Sequence, residues 1–266
     1  MGLSGTRYSC NKIHDTHSTI HRVIQDVCIV LRVSCIVASM RLQTFTNQPD
    51  FINAAVQVVL NACQKDGQVY IALSGGSTPK PVYEALANNL DIDFERVEWF
   101  VVDERYVPLD HEDSNYKMIM EAFGAAQPEF SEHFHFFNTS LLPEAAAREY
   151  EESLKKIPEH KFDLVLLGIG NDGHTASLFP HSSALHENER LAVDTINEPR
   201  PEAPVVRDRL TVTWPMILVS KKIVMLVSGE AKQSVVEELM NGSKASEDFP
   251  ARRLHEHQAA TVFYVM

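Results

Sequence analysis

Two hydrophobic periods take turns along most of this chain. Short continuous apolar runs, at residues 69–73, 97–102, 164–167 and 222–227, have the composition of strands buried on both faces. Further strands are expected over 41–46, 133–137, 191–196, 210–213 and 261–264. Between them lie stretches with apolar residues three and four apart. Asn47, Pro49 and the series Phe51, Ala55, Val58, Val59 and Ala62 predict a capped helix that ends near Gly67. Other helices are expected over 79–87, 114–123, 143–157 (Glu144 and Glu149 on its polar face) and 230–240. Strands that alternate with helices of this length predict βαβ units and therefore an α/β fold around a mostly parallel sheet. Right-handed crossovers put several strand ends, and the loops that follow them, on one edge.

The pattern starts only at residue 40. Residues 1–39 hold Cys10, Cys28 and Cys35 with His14, His17 and His21, at spacings that fit no standard zinc set. That stretch reads as an extension of uncertain structure, and Met40 as a sensible start for a single domain over 40–266. Residues 197–204, with three prolines, read as a loop inside that domain. The fourth cysteine, Cys63, forms no CxxC pair, so a reducing compartment is expected, with no metal. A net charge of −12 argues against nucleic acid and anionic membrane as partners, and no apolar run is long enough to span a bilayer. An acidic protein that handles a phosphorylated metabolite must gather its positive charge locally.

Three strand ends carry candidate chemistry. After 69–73 comes Ser74-Gly75-Gly76-Ser77-Thr78-Pro79, in which glycines, hydroxyls and a helix N-terminus suit an anion. It has neither Walker A spacing nor a dinucleotide fingerprint, and from the motif alone a turn that binds nothing remains open. After 97–102 comes Asp103-Glu104-Arg105, readable as a substrate-binding pair and more readily as a structural ion pair. Ser114-Asn115-Tyr116 reads as a helix cap. After 164–167 comes Gly168-Ile169-Gly170-Asn171-Asp172-Gly173-His174-Thr175. A histidine here can take and return a proton near neutrality, and Asp172 is close enough to orient it. Ser177 lacks the GxSxG elbow and is discounted as a nucleophile. Arg209 and Lys232, each beside a strand end, can balance a phosphate or be plain surface charge.

Five blocks in order, SGGSTP (74–79), DERYVPLDHEDSNY (103–116), LGIGNDGHTASLFP (167–180), RLTVT (209–213) and SGEAK (228–232), resemble the 6-phosphogluconolactonases over nearly all of residues 40–265. The resemblance implies a Rossmann-like three-layer α/β/α fold, glucosamine-6-phosphate deaminase-like, with no cofactor. It implies hydrolysis of 6-phospho-D-glucono-1,5-lactone to 6-phosphogluconate in the oxidative pentose phosphate pathway, a phosphosugar lactone being the partner. Phosphate would be held by Ser74, Gly75, Gly76, Ser77, Thr78, Arg209 and Lys232. His174 would be the acid/base, Asp172 or Asp103 would orient it, and loop amides with Arg105 would steady the oxyanion. A cytoplasmic monomer or weak homo-oligomer is expected. Two other readings share these blocks: a glucosamine-6-phosphate deaminase, with Asp103 as proton-abstracting carboxylate, and a silent sugar-phosphate sensor. The deaminases read DEY and DGHIAFNEP where this chain has DER and DGHTASLFP, which favours the lactonase.

Overall fold

The computed structural model describes residues 40–123, 127–196 and 208–266. The extension over 1–39 and the loop over 197–204 lie outside the described residues. Seven strands form a parallel sheet: β1 (Arg41–Phe45), β2 (Val69–Leu73), β3 (Val97–Val101), β5 (Phe134–His135), β6 (Leu164–Leu167), β9 (Ile223–Ser228) and β10 (Ala260–Val265). Their order is β1-β10-β9-β6-β2-β3-β5. From β2 the chain builds outward through β3 and β5, and the later strands β6 and β9 then lie on its other side. The order therefore reverses between β2 and β6, and in open parallel sheets the crevice outside the carboxyl ends at such a reversal is where ligands bind.

Side-chain alternation shows how the layers form. Successive strand residues point to opposite faces, so Trp99 and Phe100 serve different layers. Trp99 meets Phe123, at the end of helix α3 (Asn115–Phe123), and Phe130, with ring centroids 5.4 and 5.6 Å apart. Phe100 meets Phe162 and, from helix α4 (Pro143–Leu154), Tyr150, whose hydroxyl donates to Val101 O at 2.6 Å. Helices thus cover both faces, which explains why all four residues of β6 are buried. Two more helices precede these, α1 (Gln48–Cys63) and α2 (Lys80–Ala87). Asn47 caps α1 as its sequence predicts, its Oδ1 accepting the Asp50 N–H at 2.9 Å, and Phe51 seats the helix edge-on against Phe45. The helix stops at Cys63, short of Gly67, whose φ of 80° ends the turn that follows.

Several expectations need correction. Residues 103–105, expected only to follow the end of the strand over 97–102, form a strand of their own, β4 (Asp103–Arg105). It pairs antiparallel with β8 (Arg209–Val212), and β8 with β7 (Ala192–Asp194), in a separate three-stranded sheet. Apolar patterning cannot separate the two sheets, because the buried β8 looks like any central strand. The edge strand β5 keeps two residues where five were expected, since only Phe134 and His135 find partners, on β3. Helix α4 ends at Leu154, four residues before Pro158. The helix expected from residue 230 opens with a 3-10 turn, Glu230–Lys232, before α6 (Gln233–Asn241); the short α5 (Trp214–Ile217), which no periodicity announced, lies between β8 and β9.

Candidate active site

A cavity of about 250 Å³ opens where β2, β6 and β9 end, at the reversal of strand order. Its walls come from five separated segments: Ser74 to Pro79, Asp103 with Arg105, Asn115, the loop after β6 including His174, and the end of β9 with Ser228 and Lys232. The first and last walls are tied together by the hydroxyls of Thr78 and Ser228, 2.8 Å apart. No side chain caps the N-terminus of α2 just behind the Ser74–Pro79 loop, so its positive end is left for an anion.

The β4 pairing explains the second wall. Asp103 and Arg105 are two apart in a strand and share the cavity face, while Glu104 points the other way. Glu104 is fully buried and accepts backbone N–H groups from Arg105, Asn115 and Tyr116, each at 2.7 Å, and the Ser114 hydroxyl at 3.2 Å. It caps the start of α3. Burial pushes its carboxyl above the ordinary range, with those amides pulling the other way. The ion pair expected within Asp103-Glu104-Arg105 is therefore absent among the described residues. Arg105 instead donates Nη1 to Asp113 O at 2.5 Å.

Asp103 itself receives two neutral donors. The Ser177 hydroxyl donates to Oδ2 at 2.6 Å, and Asn115 Nδ2 donates to the Asp103 carbonyl at 2.7 Å and to Oδ1 at 3.3 Å. Asn115 in turn crowds Gly75, where any side-chain carbon would collide with the Asn115 amide, so this loop position requires glycine. Asn115 Oδ1 and Ser74 Oγ, at the same junction, are buried oxygens without a hydrogen-bond partner among the described residues.

His174 Nδ1 lies 2.5 Å from Asp172 Oδ1, which also accepts the His174 backbone N–H at 3.1 Å. Burial is the largest influence and would raise the Asp172 carboxyl, but the imidazole bond, the His174 charge and the backbone N–H bonds together outweigh it, and the net shift is downward. An ionised Asp172 can only accept, so the ring carries its hydrogen on Nδ1 and offers Nε2 as the basic nitrogen. Phe179 stacks on the ring at 4.2 Å, and Gly170 leaves the space the imidazole occupies. Between His174, at the cavity, and Ser177, turned inward, Ala176 adopts a left-handed φ of 49°. Lys232 reaches across to Ile169 O at 2.8 Å, and burial lowers its ammonium from the ordinary value.

The structure thus brings Ser74, Gly75, Gly76, Ser77, Thr78, Asp103, Arg105, His174 and Lys232 to one cavity, with Asp172 directly behind His174. Asp103 does not orient the imidazole; Asp172 does. Arg209 is not among the residues lining the cavity: it is buried on β8, in register with Arg105 of β4. Asn115 lines the cavity itself, and Ser177 joins the site through Asp103; no local sequence signal announces either bond to that carboxylate. Among the described residues no cluster of His, Cys, Asp or Glu is arranged to hold a metal ion, and no helix is long and apolar enough to cross a membrane.

Comparison with known proteins matches residues 48–263 to the family described as glucosamine-6-phosphate isomerases/6-phosphogluconolactonase. The chain belongs to this family. It is 40% identical over 202 residues to the 6-phosphogluconolactonase of Synechocystis, covering 73% of this chain and 80% of that one. A 6-phosphogluconolactonase crystal structure from Shewanella baltica superposes with a TM-score of 0.75 at 28% identity, over 86% of this chain and 99% of that chain. A monomeric glucosamine-6-phosphate deaminase superposes almost as well, with a TM-score of 0.73 over 85% of this chain and 97% of that one, but at 24% identity this speaks for the fold alone. The fold is the three-layer, glucosamine-6-phosphate deaminase-like α/β/α architecture.

Proposed function

We propose that this chain hydrolyses 6-phospho-D-glucono-1,5-lactone to 6-phosphogluconate. The observation that carries the reading is the company His174 keeps. Its Nδ1 is held by Asp172, leaving Nε2 basic, and the same cavity supplies a cation and an anion-binding loop. The substrate needs both features: a phosphate to anchor at one end and an electrophilic lactone carbonyl at the other. Lys232 and the Ser74–Thr78 loop take the phosphate, with Arg209 adding positive potential from β8 beside Arg105. The anchored sugar then presents its carbonyl to a water activated by His174 Nε2.

In this mechanism Nε2 accepts a proton as the water oxygen bonds to the carbonyl carbon. Asp172 stabilises the imidazolium that results. Arg105 and loop amides steady the oxyanion. The C–O bond to the ring oxygen then breaks and the imidazolium returns its proton there, so the histidine ends as it began. General acid–base work of this kind contributes roughly 10²–10⁴-fold, with orientation supplied by the phosphate anchor. No step requires a covalent intermediate or a cofactor. A cytoplasmic location and a monomeric or weakly associated state belong to the same reading.

The test is hydrolysis of freshly generated lactone, corrected for the spontaneous rate and run beside glucosamine 6-phosphate. Acceleration of the first with no turnover of the second is expected. A chain that leaves the lactone at its spontaneous rate, or that deaminates glucosamine 6-phosphate, overturns the proposal.

A further inference from the structure

The mechanism leaves one charged group on the cavity wall without a task. Asp103 is 7% exposed and lines the cavity, yet it orients no histidine and forms no ion pair among the described residues. A carboxylate has about four acceptor positions. Ser177 Oγ occupies one at 2.6 Å, and Asn115 Nδ2 touches another at 3.3 Å. Both are neutral donors, and both come from buried residues. Ser177 is completely buried, and its own N–H is fixed to Thr211 Oγ1 at 3.1 Å, so its hydroxyl can reach no substrate. Thr211 is the β8 partner of Asp103 in the small sheet. Ser177, Thr211 and Asn115 therefore form a brace around a single carboxylate, and its remaining acceptor positions are the ones left for a ligand.

We infer that Asp103 is a specificity-determining residue that accepts hydroxyl hydrogens from the sugar ring, and that Ser177 is its positioning residue. The inference rests on the proposed lactone substrate, whose ring hydroxyls are the donors a lone buried carboxylate selects. A site built to accept such a hydrogen rejects the analogue that lacks it, because the carboxylate is then left buried with an unmet acceptor. Ser177 contributes by fixing the Asp103 carboxylate in one rotamer. Without that bond the group is free to turn, and its preference for a hydroxyl at one ring position is diluted. The deaminase-type motif quoted above has phenylalanine at the position of Ser177, which can give no such bond.

The experiment compares kcat/KM for the parent lactone with that for monodeoxy lactones lacking the hydroxyl at ring position 2, 3 or 4. Intrinsic reactivity differs among these compounds, so the quantity read is each ratio in a variant divided by the same ratio in the native chain. A ratio of two substrates on one preparation does not depend on the fraction folded. The native chain should disfavour one analogue by tenfold or more, as expected for loss of a hydrogen bond to a charged group. Asp103→Asn should bring that ratio within about threefold of the other analogues, and Ser177→Ala should move it part of the way. Inhibition by inorganic phosphate should stay within about twofold in Ser177→Ala, because the anion loop is untouched. Unchanged ratios in both variants overturn the inference while the lactonase reading stands. A native chain that hydrolyses no lactone overturns both.

Discussion

The two ends of β2 and β6 both gather charge, in opposite ways. At their amino ends Asp163 accepts from Lys65 Nζ at 3.0 Å, Lys221 Nζ at 2.8 Å and Tyr70 N at 3.0 Å. That carboxylate is surrounded by donors that the chain itself provides. Burial, the largest influence, would raise its pKa, but the two lysine bonds, the Tyr70 N–H and the Lys65 charge together outweigh it and the net shift is downward. At the carboxyl ends the pattern reverses. Among the described residues Lys232 bonds only a backbone carbonyl, Asp103 accepts only from neutral donors, and His174 keeps one ring nitrogen for a proton. A charge cluster closed on itself can add only stability, whereas one with unused donors and acceptors can bind. Spatial clustering alone does not mark a site; incomplete pairing does.

Mutations at the two ends should therefore separate cleanly. The largest effect is expected from His174→Ala, which should lower kcat by roughly 10²–10⁴-fold while leaving the Kd for 6-phosphogluconate nearly unchanged. Equal losses in kcat and affinity would assign His174 to binding instead. Next, Lys232→Ala should raise KM by about 10–100-fold, the cost of one charge-assisted hydrogen bond to phosphate. Inhibition by inorganic phosphate should weaken in parallel, and a variant with unchanged phosphate affinity would remove Lys232 from the anion site.

The amino ends should answer in stability and not in rate. Asp163→Ala should cost about 2 kcal/mol in urea unfolding with steady-state kinetics intact, a figure held low because both lysines are partly exposed. Because the folded-state pKa of Asp163 lies below its unfolded value, its contribution is full above the unfolded carboxylate range near pH 4. It is lost as the pH falls through the folded value. The gap between the native chain and the variant should thus narrow as the pH falls below the unfolded carboxylate value, and a gap that does not change with pH would mean packing rather than charge. The smallest effect is expected from Lys161→Ala. Its pair with Glu159, at 2.8 Å, is exposed, and neither Tm nor kcat should change measurably.

Much of this was legible in the chain because the relevant forces are local. Continuous apolar runs announced β2, β3, β6 and β9 to within a residue or two, since a strand covered by helices on both faces has no polar side to display. The Asn47 cap and the glycine-rich turn that leads into α2 were visible for the same reason, each being set by a few consecutive residues. The His174–Asp172 pair was also readable, as two residues of separation leave a side chain few alternatives.

What escaped depends on chain crossings. Asp103 and Ser177 are 74 residues apart in sequence, and nothing near Ser177 distinguishes a donor to a carboxylate from a buried serine of any other kind. Glu104 looked like half of a charged pair until the strand period turned it away from its neighbours and onto the amides of α3. Arg209, matched by motif to the phosphate, is buried on β8 beside Arg105 and is not among the residues lining the cavity, a placement that depends on the pairing of β8 with β4. The sequence by itself determined the layered α/β architecture, the family, and which loops carry reactive groups, because periodicity, capping and short motifs act within a few residues. Only the tertiary structure decided what surrounds the second carboxylate, Asp103. Its donors, Ser177 from the loop after β6 and Asn115 from α3, meet it only after folding.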